Sequence, residues 1–226
     1  MHRRQFTRAL ACGLPLSGFA LSALALGEDE AASGIRAALE RGASSAVAQL
    51  GHTGGFMDDA RVRIPLPGAL KSAASMLRAV GQGKRVDDLV DAMNRAAEQA
   101  VPEARPLLVN AVRSMSVEDA VRLVRGGETS VTDFFAAKTR APLAEKFLPI
   151  VSAETAKVSL AAKYNAVASK GSAFGLVKPE DANVEQYVTR KALDGLFFMI
   201  AEEEKKIRAD PVGTGSALLK AVFGGR

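Results

Sequence analysis

Apolar residues recur three and four positions apart along most of this chain, the spacing that gathers them on one side of an α-helix. The first such stretch is 33–50, with Ser33 as its cap and Ile35, Leu39, Ala46, Val47 and Leu50 on one face. Residues 56–67 break the period, because Ile64-Pro65-Leu66-Pro67 forces extended backbone before each proline; apolar Phe56, Ile64 and Leu66 are expected to pin this loop to the body. Helices are predicted over 68–80, over 85–101 with Val86, Leu89, Val90, Met93, Ala97 and Ala100 inward, and over 103–114. Ser116-Val117-Glu118-Asp119 reads as a capping box opening a helix that ends at Gly126-Gly127, and Ser130-Val131-Thr132-Asp133 repeats the device. A further helix is predicted to start at Ala141-Pro142, kink at Pro149 and reach Val167, with a mobile Gly/Ser-rich loop over 168–178. Asp181 is expected to cap the longest helix, which runs to Ala209, and a last turn or two fills 216–223. The pattern predicts an all-α, single-domain helical bundle of about seven to nine helices with a long, largely buried C-terminal helix.

The first 27 residues do not fit that pattern and read as an export leader. Arg3, Arg4 and Arg8 give it a positive start, Ala9 to Leu26 is uncharged and mostly apolar, and no acidic residue precedes Glu28. Ala23-Leu24-Ala25 fits a small-x-small cleavage site, and Ala25-Leu26-Gly27 is the second choice. Cleavage would divide the chain into a signal over 1–25 and one helical domain over 28–226. Arg3-Arg4-Gln5-Phe6 resembles the twin-arginine export motif, while a general secretory signal with adjacent arginines fits equally. The address expected is periplasmic or otherwise exported, the alternative being a chain anchored through an uncleaved leader.

Export changes the charge and the chemistry. Losing Arg3, Arg4 and Arg8 lowers the formal charge from +5 to +2, too balanced for a dedicated nucleic-acid binder. The single cysteine, Cys12, leaves with the leader, so no disulfide can form in the mature chain. His52 then remains as the lone residue of the usual soft-metal ligand types, and neither a metal nor a cofactor is expected. Asp58-Asp59 and Glu202-Glu203-Glu204 read as solvated charge runs, and Gly81-Gln82-Gly83-Lys84 as a turn between helices. There is no Gly-x-Ser-x-Gly elbow, and no catalytic residue is assigned. Small aliphatics must fill the core, since aromatics make up 5% of the chain and tryptophan is absent.

Polar residues inside apolar helix stretches are the candidates for function. From Ala192 to Ala201 every residue except Asp194 is apolar, which places Asp194 inside the bundle, where it would need a cation. Lys191, one turn back, and Arg95 of the Asn94-Arg95-x-x-Glu98 group are the expected partners. The five residues Asn94, Arg95, Glu98, Lys191 and Asp194 form a candidate buried polar cluster, either a core pair fixing helix register or the lining of a pocket. Tyr164, Tyr187, Phe197 and Phe198 are core candidates that could also floor an apolar cavity.

Several strings carry a family resemblance: Phe56 with Ile64-Pro65-Leu66-Pro67, Gly81-Gln82-Gly83, Met93-Asn94-Arg95-Ala96-Ala97-Glu98 and Phe147-Leu148-Pro149-Ile150-Val151. The most specific are Tyr187-Val188-Thr189, Lys191-Ala192-Leu193-Asp194-Gly195-Leu196-Phe197 and Glu202-Glu203-Glu204-Lys205-Lys206-Ile207-Arg208, closing with Leu218-Leu219-Lys220. The chain resembles the bacterial family called domain of unknown function 4197, which implies an exported helical protein and no particular activity. The expected role is a periplasmic binding or protein-interaction module for an apolar small molecule or an envelope protein, with no stable membrane span once the signal is cut. The alternative is an enzyme using a cluster of Arg95, Glu98 and Asp194.

Overall fold

Side chains as small as alanine let helices approach closely, so a core with few aromatics asks for many helix pairs packed side by side. The computed structural model describes residues 19–210. Its helices are α1 (Phe19–Leu50), α2 (Gly68–Ala79), α3 (Gly83–Ala100), α4 (Ala104–Arg113), α5 (Val117–Arg125), α6 (Ser130–Thr155), α7 (Ser159–Ala173) and α8 (Val184–Ala209). Short 3-10 turns occupy Val101–Glu103 and Pro179–Asp181, and no strand occurs among the described residues. This is an all-α single domain in which α8 packs on α6, α1 and α3. The leader motif at Arg3, Arg4 and Phe6 and the terminal piece at 217–223 lie outside the described residues.

The helix ends correct several expectations. α1 does not start at Ser33 but passes through it, since Glu28 to Ala32 are good helix formers that extend the helix upstream to Phe19. At 32 residues it is longer than α8, which has 26. Asn183, not Asp181, caps α8, its side chain accepting a hydrogen bond from the Gln186 amide; Asp181 ends the preceding 3-10 turn. Ser116 does cap α5 through the Asp119 amide. At the second supposed capping box the cap position shifts to Thr129, and Ser130 Oγ instead donates to the Leu123 carbonyl at 2.7 Å.

α6 is one helix of 26 residues with Pro142 and Pro149 inside it, so Ala141-Pro142 does not begin a helix. A helical proline leaves the carbonyl four residues earlier without its donor. Those carbonyls belong to Lys138 and Glu145, both exposed, so water can satisfy them. The prolines stand seven residues apart, two turns, which keeps both defects on one side of the helix. α6 ends at Thr155, short of the expected Val167, and a separate α7 carries buried Ala161, Tyr164 and Ala168 into the stretch expected to be a mobile loop.

The irregular segment between α1 and α2 lies against the core as expected, with Phe56, Val62, Ile64 and Leu66 buried. Gly195 of α8 makes room for it: a Cβ there would stand 2.7 Å from the Phe56 ring, closer than carbon atoms approach.

Glu204 is not part of a solvated charge run. Its carboxylate accepts from the Val131 amide at 3.1 Å and from the Thr132 amide and hydroxyl at 2.9 and 2.8 Å, capping α6, which lacks a side-chain cap of its own. Arg208, one turn on, binds Glu204 at 2.8 Å and donates to the last carbonyls of α5, Leu123 at 3.0 Å and Val124 at 3.1 Å. A carboxylate thus meets the positive end of one helix dipole and a guanidinium the negative end of another, at the corner where α5 turns into α6. Glu204→Ala should cost about 2–4 kcal/mol in urea unfolding, because it leaves the buried amides of Val131 and Thr132 and the Thr132 hydroxyl without their acceptor. Glu202→Ala, on the exposed side of the same helix, should stay within about 0.5 kcal/mol.

Candidate functional site

The five residues expected to form one buried polar cluster are split into three places. Asn94 and Glu98 are buried on α3 and face the irregular segment, not α8. The Asn94 amide pairs with both backbone groups of Ile64, accepting from its N–H at 2.8 Å and donating to its carbonyl at 3.0 Å. Glu98 Oε1 accepts from the amides of Phe56 and Met57 at 3.1 and 3.3 Å. Arg95, between them in sequence, is turned about 100° from Asn94 around the helix and is exposed.

Asp194 is exposed as well, its side chain retaining 44% of its free surface. It lies on a solvent stripe with Phe198, four residues on, so α8 is not apolar all round at this level. Hydropathy ranks Phe198 as core, but its ring lies under the Arg61 guanidinium, 5.8 Å from its centroid. Asp194 binds Arg140 of α6 at 3.0 Å and Lys191 at 3.9 Å, and nothing joins it to Arg95. The arginine–carboxylate constellation that an enzyme reading would use is therefore not assembled.

A groove of about 430 Å³ opens instead between α6 and α8. One wall is Arg140, Ala144 and Leu148, spaced four residues apart along α6, with Glu145 next to Ala144; the other is Gln186, Thr189, Arg190 and Leu193, the i, i+3, i+4, i+7 stripe of α8. Both arginines are fixed by neighbours. Arg140 stacks on Phe197 at 4.9 Å and binds Asp194, while Arg190 stacks on Tyr187 at 5.4 Å and binds Asp181 at 2.6 Å. Such partners align a guanidinium without using all of its five donors.

The groove also concentrates unmet hydrogen bonds. Among the described residues three buried side-chain polar atoms have no partner, and two of them, Thr189 Oγ1 and Arg190 Nε, belong to groove residues. A helical threonine ordinarily donates to the carbonyl four residues back, as Thr139 and Thr155 do in α6. Leaving such donors unmet costs about 1–3 kcal/mol each. Two guanidinium forks, a hydroxyl and an amide beside an apolar wall of Ala144, Leu148 and Leu193 suit a ligand with an anionic head and a short apolar body. Sequence reasoning did not single out Arg140, Thr189 or Arg190, because polar residues on an outward stripe read like any solvated helix face. The signal that could have found Thr189 is its place between buried Val188 and Ala192.

Tyr164 and Tyr187 are buried and each anchors a backbone carbonyl: Tyr164 donates to Asp181 at 2.5 Å and Tyr187 to Pro65 at 2.9 Å. His52 is exposed, its ring against the Thr53 carbonyl, and among the described residues no three His, Cys, Asp or Glu side chains gather as a metal would require.

A model of the family described as protein of unknown function (DUF4197) matches residues 25–224. The chain belongs to this family. The match begins at Ala25, the residue at which the expected signal ends, so the DUF4197 domain covers the helical body and leaves the Arg3-Arg4 motif outside. No curated protein and no solved structure matches the chain.

Two outcomes follow for this DUF4197 domain. Asp194→Ala should cost under about 1 kcal/mol in chemical denaturation, as exposed ion pairs do. Asn94→Ala should cost about 3 kcal/mol, since it strands both backbone groups of buried Ile64. In alkali the tyrosines govern stability: burial, the main cause, pushes the Tyr187 phenol up to about 12 and raises that of Tyr164. Unfolded phenols ionise near pH 10, so this stability is intact below about pH 10 and is lost as the pH climbs towards 12. Tyrosinate absorbance should rise together with loss of helical circular dichroism; full ionisation of both tyrosines in the folded protein at pH 10 would contradict the assignment.

Proposed function

We propose that this chain is an exported binding module whose α6/α8 groove holds a small amphipathic anion. The carboxylate or phosphate of the ligand lies between Arg140 and Arg190, and its apolar part lies on Leu148 and Leu193. The observation that carries this reading is the coincidence, in one groove, of two aligned guanidinium groups, one of which keeps an unsatisfied Nε, with the unsatisfied buried hydroxyl of Thr189. Export, with the periplasm as destination, rests on the Arg3-Arg4-Gln5-Phe6 start, the apolar run behind it and the small residues Ala23 and Ala25.

Thr189→Val separates a binding role from a structural one. Valine has the same shape and removes an unmet hydroxyl, so the fold should gain stability while affinity for the ligand falls. Calorimetric titration with short-chain carboxylates and alkyl phosphates, guided by native mass spectrometry of the purified protein, provides the ligand. Arg140→Gln and Arg190→Gln should each weaken binding by about tenfold or more, the worth of a charge-assisted hydrogen bond. Equal affinity in the parent and both arginine variants, or a protein that is always recovered empty and binds none of these anions, would remove the proposal. N-terminal sequencing of the protein from its host's envelope fraction checks the export step, with a first residue near Leu26 or Glu28 expected.

A further inference from the structure

Among the described residues, the most exposed large apolar side chains lie on α2, α7 and the turns that follow them. Between α2 and α7 runs a cleft of about 350 Å³ walled by Leu70, Ala73 and Leu77 on one side and by Leu160, Val167 and Gly171 on the other. On α2, α7 and the residues that follow each, five large apolar side chains keep most of their free surface, Val167 and Leu176 among them lining the cleft: Met76 at 72%, Val80 at 69%, Val167 at 72%, Phe174 at 81% and Leu176 at 81%. Single exposed apolar residues are ordinary on a protein surface, but Val167 and Leu176 exposed in the wall of an apolar cleft, with Phe174 two residues before Leu176, are not.

The backbone holds these residues out by the same device at both helix ends. α2 is capped by Val80 and α7 by Phe174, each followed by a left-handed glycine, Gly81 with φ of 76° and Gly175 with φ of 71°. The Gln82 amide reaches back to Leu77 and the Leu176 amide to Gly171, both at 2.8 Å, which closes a Schellman turn at each end. In that turn the residue after the glycine ordinarily packs on the side chain one turn back in the helix. At α7 that position is Gly171, which offers no side chain, so Leu176 is presented outward together with Phe174.

The charge on α2 and α7 themselves has one sign. No acidic residue occurs in 60–86, a stretch that includes all of α2, or in 155–179, a stretch that includes all of α7. Lys163 lines the cleft itself, and Lys170, two turns along α7, lies on the same side. Lys178 follows Val177, another lining residue, and none of these three lysines forms a salt bridge among the described residues. Of the acidic residues that bound these stretches, Asp181 binds Arg190, Glu154 binds Lys157 and Asp87 binds Arg78, while Glu180 is exposed two residues after Lys178.

We infer that the α2/α7 face is a docking surface for an anionic lipid bilayer. Phe174, Leu176, Val167, Val80 and Met76 enter the boundary between headgroups and acyl chains, and Lys163, Lys170 and Lys178 hold the phosphates. Apolar area alone would fit a neutral partner equally well; Lys163 and Lys170 on the acid-free α7 select a negative one. The surface shares no residue with the α6/α8 groove, so it stands whether or not that groove binds an anion.

The absence of tryptophan from the chain makes a clean test available. Full-length Phe174→Trp carries a single indole on the proposed surface. Its emission should be that of exposed indole in buffer, move to the blue with vesicles of phosphatidylglycerol and phosphatidylcholine, and move little with phosphatidylcholine alone. Sedimentation with the mixed vesicles should show Phe174→Ser/Leu176→Ser and Lys163→Gln/Lys170→Gln each binding on the order of tenfold more weakly than the parent chain. Residues 1–27 are common to all these proteins, so differences among them report on the face and not on the leader. The substituted positions are exposed, and unchanged thermal melting confirms that folding is preserved. Equal vesicle binding by parent and variants, or equal binding to neutral and anionic vesicles, overturns the inference. So does indole emission that is already blue without lipid, which would mean that residues 211–226 or a second copy of the chain cover this face.

Discussion

An irregular segment can lie against a helical core only if something other than a helix hydrogen-bonds its backbone. Residues 51–67, between α1 and α2, meet that requirement through three side chains delivered from two helices. Asn94 takes both groups of Ile64, Glu98 takes the amides of Phe56 and Met57, and Tyr187 takes the carbonyl of Pro65. Each contact replaces a bond to water that burial removes, so the three together decide whether Phe56, Ile64 and Leu66 can be buried at all. The placement of α3 beside α8 depends on the same segment, since Phe56 seats on Gly195 of α8 while its amide is held from α3.

The corner between α5 and α6 obeys the same rule with charged groups. α6 begins without a side-chain cap of its own, and α5 ends on carbonyls that no following turn of helix satisfies. Glu204 and Arg208 of α8 supply both, so one helix closes the ends of two others. α8 organises the domain chiefly because its polar side chains complete other elements: Tyr187 the irregular segment, Glu204 the start of α6 and Arg208 the end of α5.

Against that nearly complete pairing, the places where it lapses stand out. Thr189 and Arg190 leave buried donors unmet beside a groove lined by two aligned arginines, and the α2/α7 face leaves large apolar side chains uncovered inside a basic rim. These are different departures from the same physics. One is a shortage of acceptors, which the proposed anion would supply; the other is a shortage of apolar cover, which the acyl region of a bilayer would supply. A protein exported across a membrane would meet both kinds of partner, with a soluble anion in the groove and lipid at the α2/α7 face.

Helical periodicity and the proline pair of Ile64-Pro65-Leu66-Pro67 determined the all-α class, the position of the irregular segment and the inward face of α1 and α3, because these depend on spacing along the chain. Spacing also marked Gly81-Gln82-Gly83 as a turn and Ser116 as a cap, since both act within a few residues. Family membership was legible for the same reason: strings such as Leu193-Asp194-Gly195-Leu196-Phe197 are continuous in sequence. Spacing could not say which polar residue faces which neighbour. Asp194 looked buried because nine apolar residues share its stretch, yet one stripe of α8 is open to water and Asp194 lies on it. Glu204 looked solvated among its charged neighbours, yet it reaches amides seventy-two residues away in the chain. Whether Pro142 ends a helix also rested on whether water reaches the carbonyl of Lys138. Only the packed structure determines how polar groups far apart in sequence are paired, because each pairing depends on which helix faces which and on what is left for water to reach.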